Sequence, residues 1–145
     1  MTTTETRLRH RERVAVARLH ALLELLPTAL DQRLAPASLT AFEFTLLEAL
    51  WEAEPHRLRL SALASRTNAT LPRLSRVVTA LERKGLVTRT PCPEDGRAFN
   101  ADLTPDGERA FLATRPLHAD AVRSMVLEDL SDKDVDALAE LTLKI

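Results

Sequence analysis

The sequence has few residues that cross-link a chain, and it has no long apolar run. Its single cysteine in 145 residues, Cys92, excludes an internal disulfide and a structural zinc knot. No apolar run approaches the roughly 20 residues that span a bilayer, and residues 1–13 lack the apolar core of a signal peptide. We therefore expect a cytoplasmic protein that has no membrane partner and whose core is packed from side chains alone.

Aromatic residues and glycine are scarce as well. The chain contains no tyrosine, 3% aromatic residues and three glycines. Aromatic and β-branched residues favour strands, whereas Leu, Ala, Glu and Arg favour helices. The composition therefore predicts a mainly α protein of the α+β class. The length fits a single domain, residues 1–145, and is too short for two independent cores.

Charge is nearly balanced over the whole chain but not along it. The net charge is −1, yet residues 66–97 carry seven cations and three acids, whereas residues 102–145 carry five cations and ten acids. This asymmetry is expected of a basic segment that faces a polyanion and is joined to an acidic scaffold. A solvated helix face is the alternative that composition alone leaves open.

The first part of the chain is predicted to form two helices. Residues 5–33 are apolar on more than one face, so a helix there needs partners on more than one side. Pro27 is expected to kink or divide that helix. Thr40 is the predicted N-cap of a second helix, which ends before Pro55.

The middle of the chain is typical of a helix-turn-helix. A short strand is predicted over 57–60, and Ser61 is expected to cap a helix that ends near Arg66. Thr70 is expected to cap the next helix and Gly85 to close it in a left-handed conformation. Two helices joined by a turn of this length form a helix-turn-helix. The apolar positions of the second helix fall at helical spacing: Leu74, Val77, Val78 and Leu81.

A β-hairpin is predicted directly after this pair of helices. Residues 86–90 and 99–103 are expected to be strands, with Asp95-Gly96 at the apex of the turn between them. A hairpin in this place defines a winged helix-turn-helix. The predicted DNA-binding lobe is therefore 38–103, with its wing over 86–103.

The two ends of the chain are predicted to pair two protomers. Thr104 and Ser131 are expected to cap the last two helices. A helix-turn-helix normally works as a two-fold dimer on a pseudo-palindrome, with half-sites one helical turn apart. We therefore interpret 5–33 and 104–145 as dimerisation helices.

The predicted recognition helix offers polar residues for DNA. The positions that its apolar face leaves free are Arg73, Ser75, Arg76, Thr79, Arg83 and Lys84. Arg73 and Arg76 lie in the N-terminal half, which enters the major groove, and we expect one or both to read guanine. Thr70 and Ser75 are expected to hold phosphate. A solvated arginine face is the alternative interpretation.

The wing offers one further DNA-binding pair. Arg97 is the candidate minor-groove probe, because narrow A·T-rich grooves attract arginine. Asp95 cannot approach phosphate favourably, so it is expected to hold Arg97 by a charge-assisted hydrogen bond. Simple turn chemistry with Gly96 is the alternative role for Asp95.

Four short motifs carry a family resemblance. They are Leu60-Ser61-Ala62-Leu63-Ala64, the run from Leu74 to Arg89, Pro93-Glu94-Asp95-Gly96-Arg97, and Leu103-Thr104-Pro105-Asp106-Gly107. The region resembles the MarR family of bacterial transcriptional regulators, most specifically in the acidic wing Asp-x-Arg followed by Leu-Thr-x-x-Gly. One position departs from the family, which often has arginine where Gly96 stands. That difference removes a cation from the wing tip.

The resemblance implies partners as well as a fold. It implies a homodimer whose terminal helices interlock, bound to a pseudo-palindromic operator in double-stranded DNA, and it supports the Asp95–Arg97 pairing. It also implies a crevice for a small aromatic or anionic effector, which would favour a dimer with wrongly spaced recognition helices. No residue identifies that ligand. Candidate linings are His20, Trp51 and His118, with core or rim packing as the alternative.

Cys92 raises the question of redox control. It is predicted to be exposed in the wing, close in sequence to Arg89 and Arg97, which could lower its pKa. Relatives that sense oxidants carry their cysteine in the N-terminal helix, and residues 1–33 contain none. An incidental thiol is therefore the preferred interpretation.

Catalytic and metal-binding patterns are missing from the sequence. It contains no Gly-x-Ser-x-Gly, no glycine-rich phosphate loop and no paired His/Glu motif, and its four histidines lack ligand spacing. We expect neither an enzyme nor a cofactor or metal. The predicted function is that of a homodimeric, sequence-specific DNA-binding repressor whose repression is relieved by a small molecule. The alternatives are a winged-helix module that binds an acidic protein, and a redox-responsive regulator using Cys92.

Overall fold

The structure is a computed structural model that describes residues 6–145. Its helices are α1 (His10–Leu34), α2 (Ala41–Glu52), α3 (Leu60–Arg66), α4 (Leu71–Arg83), α5 (Pro105–Val122) and α6 (Asp132–Leu143). Its strands are β1 (Arg57–Arg59), β2 (Val87–Cys92) and β3 (Asp95–Leu103). A 3-10 turn (Ala35–Ala37) follows α1, and a π-helical turn (Arg123–Leu127) follows α5. The predicted mainly α, winged helix-turn-helix fold is confirmed.

Side-chain caps set the start of most of the later helices as predicted. The hydroxyls of Thr40, Thr70, Thr104 and Ser131 each accept a hydrogen bond from a backbone N–H in the first turn of α2, α4, α5 and α6. These caps depend only on residues three apart in sequence. Local chemistry alone therefore fixes where these four helices begin.

Of the two outcomes expected for Pro27, division of the helix is wrong, because Pro27 lies inside the continuous helix α1. Pro27 is exposed, so water can reach the backbone carbonyl whose hydrogen bond the proline removes. Ser61 does not cap α3, because the strand passes directly into the helix and Arg59, with an extended backbone, occupies the N-cap position. The predicted start of the first helix at residue 5 lies outside the described residues.

The three strands form one antiparallel sheet in the order β1-β3-β2. The pairing of β2 with β3 runs from Val87 opposite Leu103 to Cys92 opposite Asp95, with an irregularity between Pro91 and Cys92. The hairpin therefore turns at residues 93–94, and Asp95-Gly96 begins the returning strand. The predicted apex at Asp95-Gly96 is wrong, because this irregular pairing places the turn two residues earlier.

Two glycines let the wing sit close to its neighbours. Gly85 has a φ of +75°, the left-handed conformation that closes α4 as predicted. A Cβ at Gly107 would lie 2.0 Å from the backbone oxygen of Leu86. No side chain fits at Gly107, so α5 begins in direct contact with the base of the wing.

The core lies between α2, the helix-turn-helix and α5. Its fully buried side chains include Leu34, Phe44, Leu46, Leu47, Leu50, Leu63, Leu74, Val78, Leu81, Val87 and Phe111. Nine of these eleven side chains are aliphatic, and the other two are phenylalanine. None of the helices within residues 6–145 has the length and apolar character needed to cross a bilayer.

Candidate nucleic-acid interface

The helix-turn-helix is held by short-range backbone and hydroxyl contacts. After α3, Asn68 adopts a left-handed conformation with a φ of 54°, which reverses the chain. The Ala69 N–H donates to the Ala64 carbonyl at 3.0 Å, and the Thr67 hydroxyl donates to the Leu63 carbonyl at 2.7 Å. The Thr70 hydroxyl then accepts from the Arg73 N–H at 3.4 Å. These contacts fix the direction in which α4 leaves the turn.

One side of α4 is buried and the opposite side carries cations. Leu74, Val78 and Leu81 are 0% exposed, so they anchor the helix to the core. Arg76 and Arg83, seven residues apart on the outer side, are exposed and make no side-chain hydrogen bond or ion pair within residues 6–145. α4 therefore presents unneutralised charge to an incoming ligand.

Arg73 lies on the same outer side but has a partner. Its guanidinium stacks over the ring of Phe42 on α2, 4.2 Å from the ring centroid. A cation over an aromatic face is held electrostatically while its N–H edges stay available. Phe42 of α2 therefore fixes the position of the Arg73 side chain. No such contact within residues 6–145 fixes the Arg76 side chain.

A third side of α4 faces the wing. Arg89 of β2 donates to the Ser75 carbonyl at 2.7 Å, to the Ser75 hydroxyl at 2.8 Å and to the Thr79 hydroxyl at 2.9 Å. It also forms an ion pair with Glu82. One guanidinium therefore ties three successive turns of the helix to the first strand of the wing.

This network corrects the interpretation of Ser75 and Thr79 as free positions. Both residues are half-buried and already bonded to Arg89. The Thr79 hydroxyl also donates to the Ser75 carbonyl at 3.0 Å, so its single hydrogen is in use. The Ser75 hydroxyl accepts from Arg89 and keeps its own hydrogen for donation. Their contact with DNA stays a prediction.

Lys84 is also not a free cation of the recognition helix. Its ammonium donates to the Ser38 carbonyl at 2.7 Å and to both carboxylate oxygens of Glu43 at 3.0 Å. Glu43 is only 5% exposed and caps α2 together with Thr40. Lys84 therefore neutralises a buried carboxylate and joins the end of α4 to the start of α2.

The wing places Arg97 in solvent and Asp95 beside it. The Asp95 carboxylate accepts from the Arg97 backbone N–H at 3.0 Å, while its ion pair is with Arg59 at 3.9 Å. Asp95 therefore holds Arg97 by a charge-assisted hydrogen bond, as expected, and the bond runs to the backbone N–H of Arg97 in a local turn. The Arg97 side chain makes no hydrogen bond or ion pair in the described part of the chain.

A cleft separates the wing from the start of α3 and α4. Its walls include Arg59, Ser61, Leu71, Asp95, Arg97 and Phe99. Leu71 and Phe99 are large apolar side chains that are 50% and 42% exposed. The cleft brings together polar, cationic and apolar groups from four elements.

Cys92 is buried, which corrects its predicted exposure. It is 8% exposed, and its thiol lies 3.2 Å from the Asn100 side-chain oxygen. The cation beside it is Arg59 rather than Arg89 or Arg97: Cys92, followed by Asp95 and Glu94, raises the pKa of the Arg59 guanidinium. Burial removes the access that oxidant sensing needs.

Two of the three candidate ligand linings are packed among aromatic residues. His118 stacks on Phe44 with ring centroids 4.1 Å apart, and Trp51 lies 5.3 Å from Phe111. Burial lowers the pKa of His118, and the charge of Glu48 opposes that effect. His20 is exposed on α1, 3.8 Å from Glu24. Within residues 6–145 no three His, Cys, Asp or Glu side chains are grouped as a metal site.

The terminal helices leave apolar surface uncovered. On α1, Leu22, Leu23 and Leu25 are 57%, 64% and 68% exposed. On α6 (Asp132–Leu143) no residue is buried, and Leu141 is 58% exposed. Exposed leucines on both terminal helices make these helices candidates for an interaction surface.

Sequence reasoning missed Arg59, Arg89 and Glu43 as structural partners of this site. Side chains alternate along a strand, so Arg57 and Arg59 lie on the same face of β1. This pattern is the sequence signal for a polar face next to the wing. No local pattern signals that Arg89 reaches across to α4 or that Glu43 meets Lys84, since these contacts join residues far apart in sequence.

Similarity to known proteins covers most of the chain. A model of the MarR family matches residues 39–99. The HTH-type transcriptional repressor YetL of Bacillus subtilis (strain 168) is 30% identical over 112 residues, which span 77% of this chain and 66% of YetL, just under two thirds of that protein.

Two solved structures from Streptomyces coelicolor are also similar. Sco3205, a MarR family transcriptional regulator in complex with DNA, is 34% identical with a TM-score of 0.89, covering 94% of this chain and 86% of its own. AbsC, a MarR family transcriptional regulator, is 31% identical with a TM-score of 0.86, covering 93% of this chain and 91% of its own.

Proposed function

Because the chain belongs to the MarR family of transcriptional regulators, we propose that it is a homodimeric, sequence-specific repressor that a small molecule releases from double-stranded DNA. We place it in the bacterial cytoplasm, where the DNA is. The observation that carries this proposal is the outer side of α4, where Arg76 and Arg83 have no partner in the described chain. Sco3205, the relative with 34% identity, is a DNA complex.

The recognition helix supplies direct readout. Arg76 reaches a guanine in the major groove, since arginine can donate two hydrogen bonds to its O6 and N7 atoms. Arg73, which is stacked on the Phe42 ring, contacts a neighbouring base. Thr70 and Ser75 hold phosphate, because each hydroxyl accepts one internal bond and keeps its hydrogen to donate. Thr79 is placed on the same helix to contact DNA and also positions Arg89.

The wing supplies the second contact. Arg97 enters the adjacent minor groove, where A·T-rich DNA has the most negative potential. Asp95 fixes the backbone of Arg97 from a distance of 3.0 Å. Gly96 carries no charge, so Arg97 is the one arginine that each protomer contributes from the tip of the wing.

The dimer is built by the terminal helices. Exposed leucines on α1 and α6 supply the apolar surface that a second copy covers, within the regions 5–33 and 104–145. A two-fold axis through this surface would set the spacing of the two recognition helices. The effector, a small aromatic or anionic molecule, acts by changing that spacing.

Selection from random duplex DNA tests the proposal. The purified chain is incubated with random duplexes at physiological salt, and bound fragments are sequenced. We expect a pseudo-palindrome with half-sites about one helical turn apart, and binding that weakens steeply with salt. No enrichment and no salt dependence would overturn DNA recognition and favour a winged-helix module that binds an acidic protein.

A further inference from the structure

We propose that Arg59 binds the DNA phosphate backbone that runs between the recognition helix and the wing. This inference rests on the proposed DNA-binding function and adds to it a residue outside the recognition helix and the wing. Arg59 lies on β1, the three-residue strand at one edge of the three-stranded sheet.

The argument starts from the shape of duplex DNA. The major groove and the adjacent minor groove are separated by one sugar-phosphate backbone. A protein that inserts α4 into the first groove and the wing into the second must hold that backbone in the gap between them. In this chain the gap is the cleft walled by Arg59, Ser61, Leu71 and Arg97. Arg59 and Ser61 in its walls are therefore placed to face phosphates.

Arg59 is the cation that β1 contributes to this cleft. Its side chain is 46% exposed, and its single ion pair within residues 6–145 is with Asp95, at a long 3.9 Å. The same Asp95 carboxylate is engaged by the Arg97 backbone. A backbone phosphate carries the same single charge as this carboxylate, and it can accept two guanidinium hydrogen bonds at normal hydrogen-bond distance, so it can replace a partner that is 3.9 Å away.

Arg57 on the same strand provides a matched comparison. Its side chain is 49% exposed, close to the value for Arg59, and it also pairs with a wing carboxylate. That carboxylate, Asp102, contacts it directly and accepts a second bond from the Thr90 hydroxyl at 2.6 Å. Arg57 is not among the residues that line the cleft. Arg57 is therefore held by a direct ion pair, whereas Arg59 is held only by a long one.

The experiment compares protein variants on normal DNA and on DNA in which single phosphates are uncharged. Wild type, Arg59→Gln, Arg59→Lys and Arg57→Gln are titrated with a duplex selected by the wild-type protein, at several salt concentrations. Each titration is repeated on duplexes in which one phosphate at a time is replaced by uncharged methylphosphonate. Circular dichroism and melting temperatures verify that every variant is folded.

The salt slope is the slope of the logarithm of the binding constant against the logarithm of the salt concentration. We expect Arg59→Gln to reduce the size of this slope by about two for the dimer, one for each lost phosphate contact, and to weaken affinity similarly for all DNA sequences. Arg59→Lys should keep most of the slope, and Arg57→Gln should leave it unchanged. One methylphosphonate in each half-site should weaken wild type at least several-fold and leave Arg59→Gln unaffected.

Two outcomes would overturn the inference. One is an unchanged salt slope for Arg59→Gln, and the other is a loss of affinity that couples to no phosphate, which would make Arg59 a support for the wing. In both, the wild-type protein still binds its duplex, so the proposed function stands. Failure of the wild type to bind any duplex contradicts the function itself.

Discussion

The seven cations between residues 66 and 97 differ in what their charges already contact. Arg89 and Lys84 are bound to carboxylates of this chain, and Arg73 is stacked on a ring. The other four, Arg66, Arg76, Arg83 and Arg97, are exposed and make no side-chain hydrogen bond or ion pair in the part of the chain described by the structure. The charge available to DNA is therefore smaller than the formal count.

His118 gives the stability of the protein a defined pH dependence. Its ring stacks on Phe44, and burial lowers its pKa below the ordinary value of 6.5. As pH falls through 6.5, the unfolded chain takes up this proton before the folded chain does. Stability contributed by the neutral ring is therefore present above that pH and is lost below it.

The variant His118→Phe should reduce this loss, because phenylalanine keeps the stacked ring and cannot be protonated. Melting temperatures are measured for both proteins between about pH 7.5 and about pH 5.5. We expect the wild type to lose more on acidification than the variant. Equal losses in the two proteins would show that other groups control the acid sensitivity.

At the scale of elements, the main contact is the one between α4 and the wing. Arg89 joins β2 to three turns of the recognition helix, and Gly107 lets α5 contact the base of the same hairpin. The wing is thus fixed to the helix that it assists. Groove contacts by α4 and by Arg97 should therefore depend on each other.

Two substitutions test this coupling on duplexes that differ only in their flanks. Arg97→Ala should cost about 1 kcal/mol more on A·T-rich than on G·C-rich flanks, because the narrow groove is lost as a binding site. Arg89→Gln should lose the same preference and also lower stability by about 1–3 kcal/mol, since Glu82 loses its charged partner.

Arg83→Gln is the control for stability, because Arg83 has no side-chain partner within residues 6–145. Chemical denaturation gives the free energies of unfolding, and titrations give the affinities. Retention of full flank preference by Arg89→Gln would mean that the wing is held by its own hairpin contacts and not by α4.

The elements differ in how far the sequence predicts them. The caps Thr40, Thr70, Thr104 and Ser131 depend on contacts within one turn, and their prediction is confirmed. The cap at Ser61, the hairpin apex and the free state of Lys84 are wrong. Each of these depends on a pairing that the local pattern does not show, namely β1 with β3, the register of β2 on β3, and Lys84 with Glu43. Local patterns do not contain that information.

At the scale of the whole molecule, the uncovered leucines of α1 and α6 mean that one chain leaves an apolar surface unburied. Leu25 is 68% exposed in the middle of α1, although leucine is among the residues most often buried. Burial of such a side chain against a second copy contributes about 1.5–3 kcal/mol, and a two-fold interface contains it twice.

Leu25→Glu should therefore weaken the dimer at least ~100-fold while leaving the fold of each chain intact. Analytical ultracentrifugation over a range of concentrations measures the dimer dissociation constant, and circular dichroism monitors the fold. Thr45→Glu, on an exposed position of α2, is the control and should leave the dimer unchanged. A dimer unaffected by Leu25→Glu would place the interface elsewhere.

The central claim is that this chain reads DNA with the outer side of α4. The most direct measurement selects random duplexes in parallel with wild type, Arg76→Ala and the folded control Arg83→Ala. We predict the same palindromic spacing in all three, with preference at one base pair in each half-site relaxed only for Arg76→Ala, by about 1–3 kcal/mol. Identical preferences for wild type and Arg76→Ala would contradict the claim.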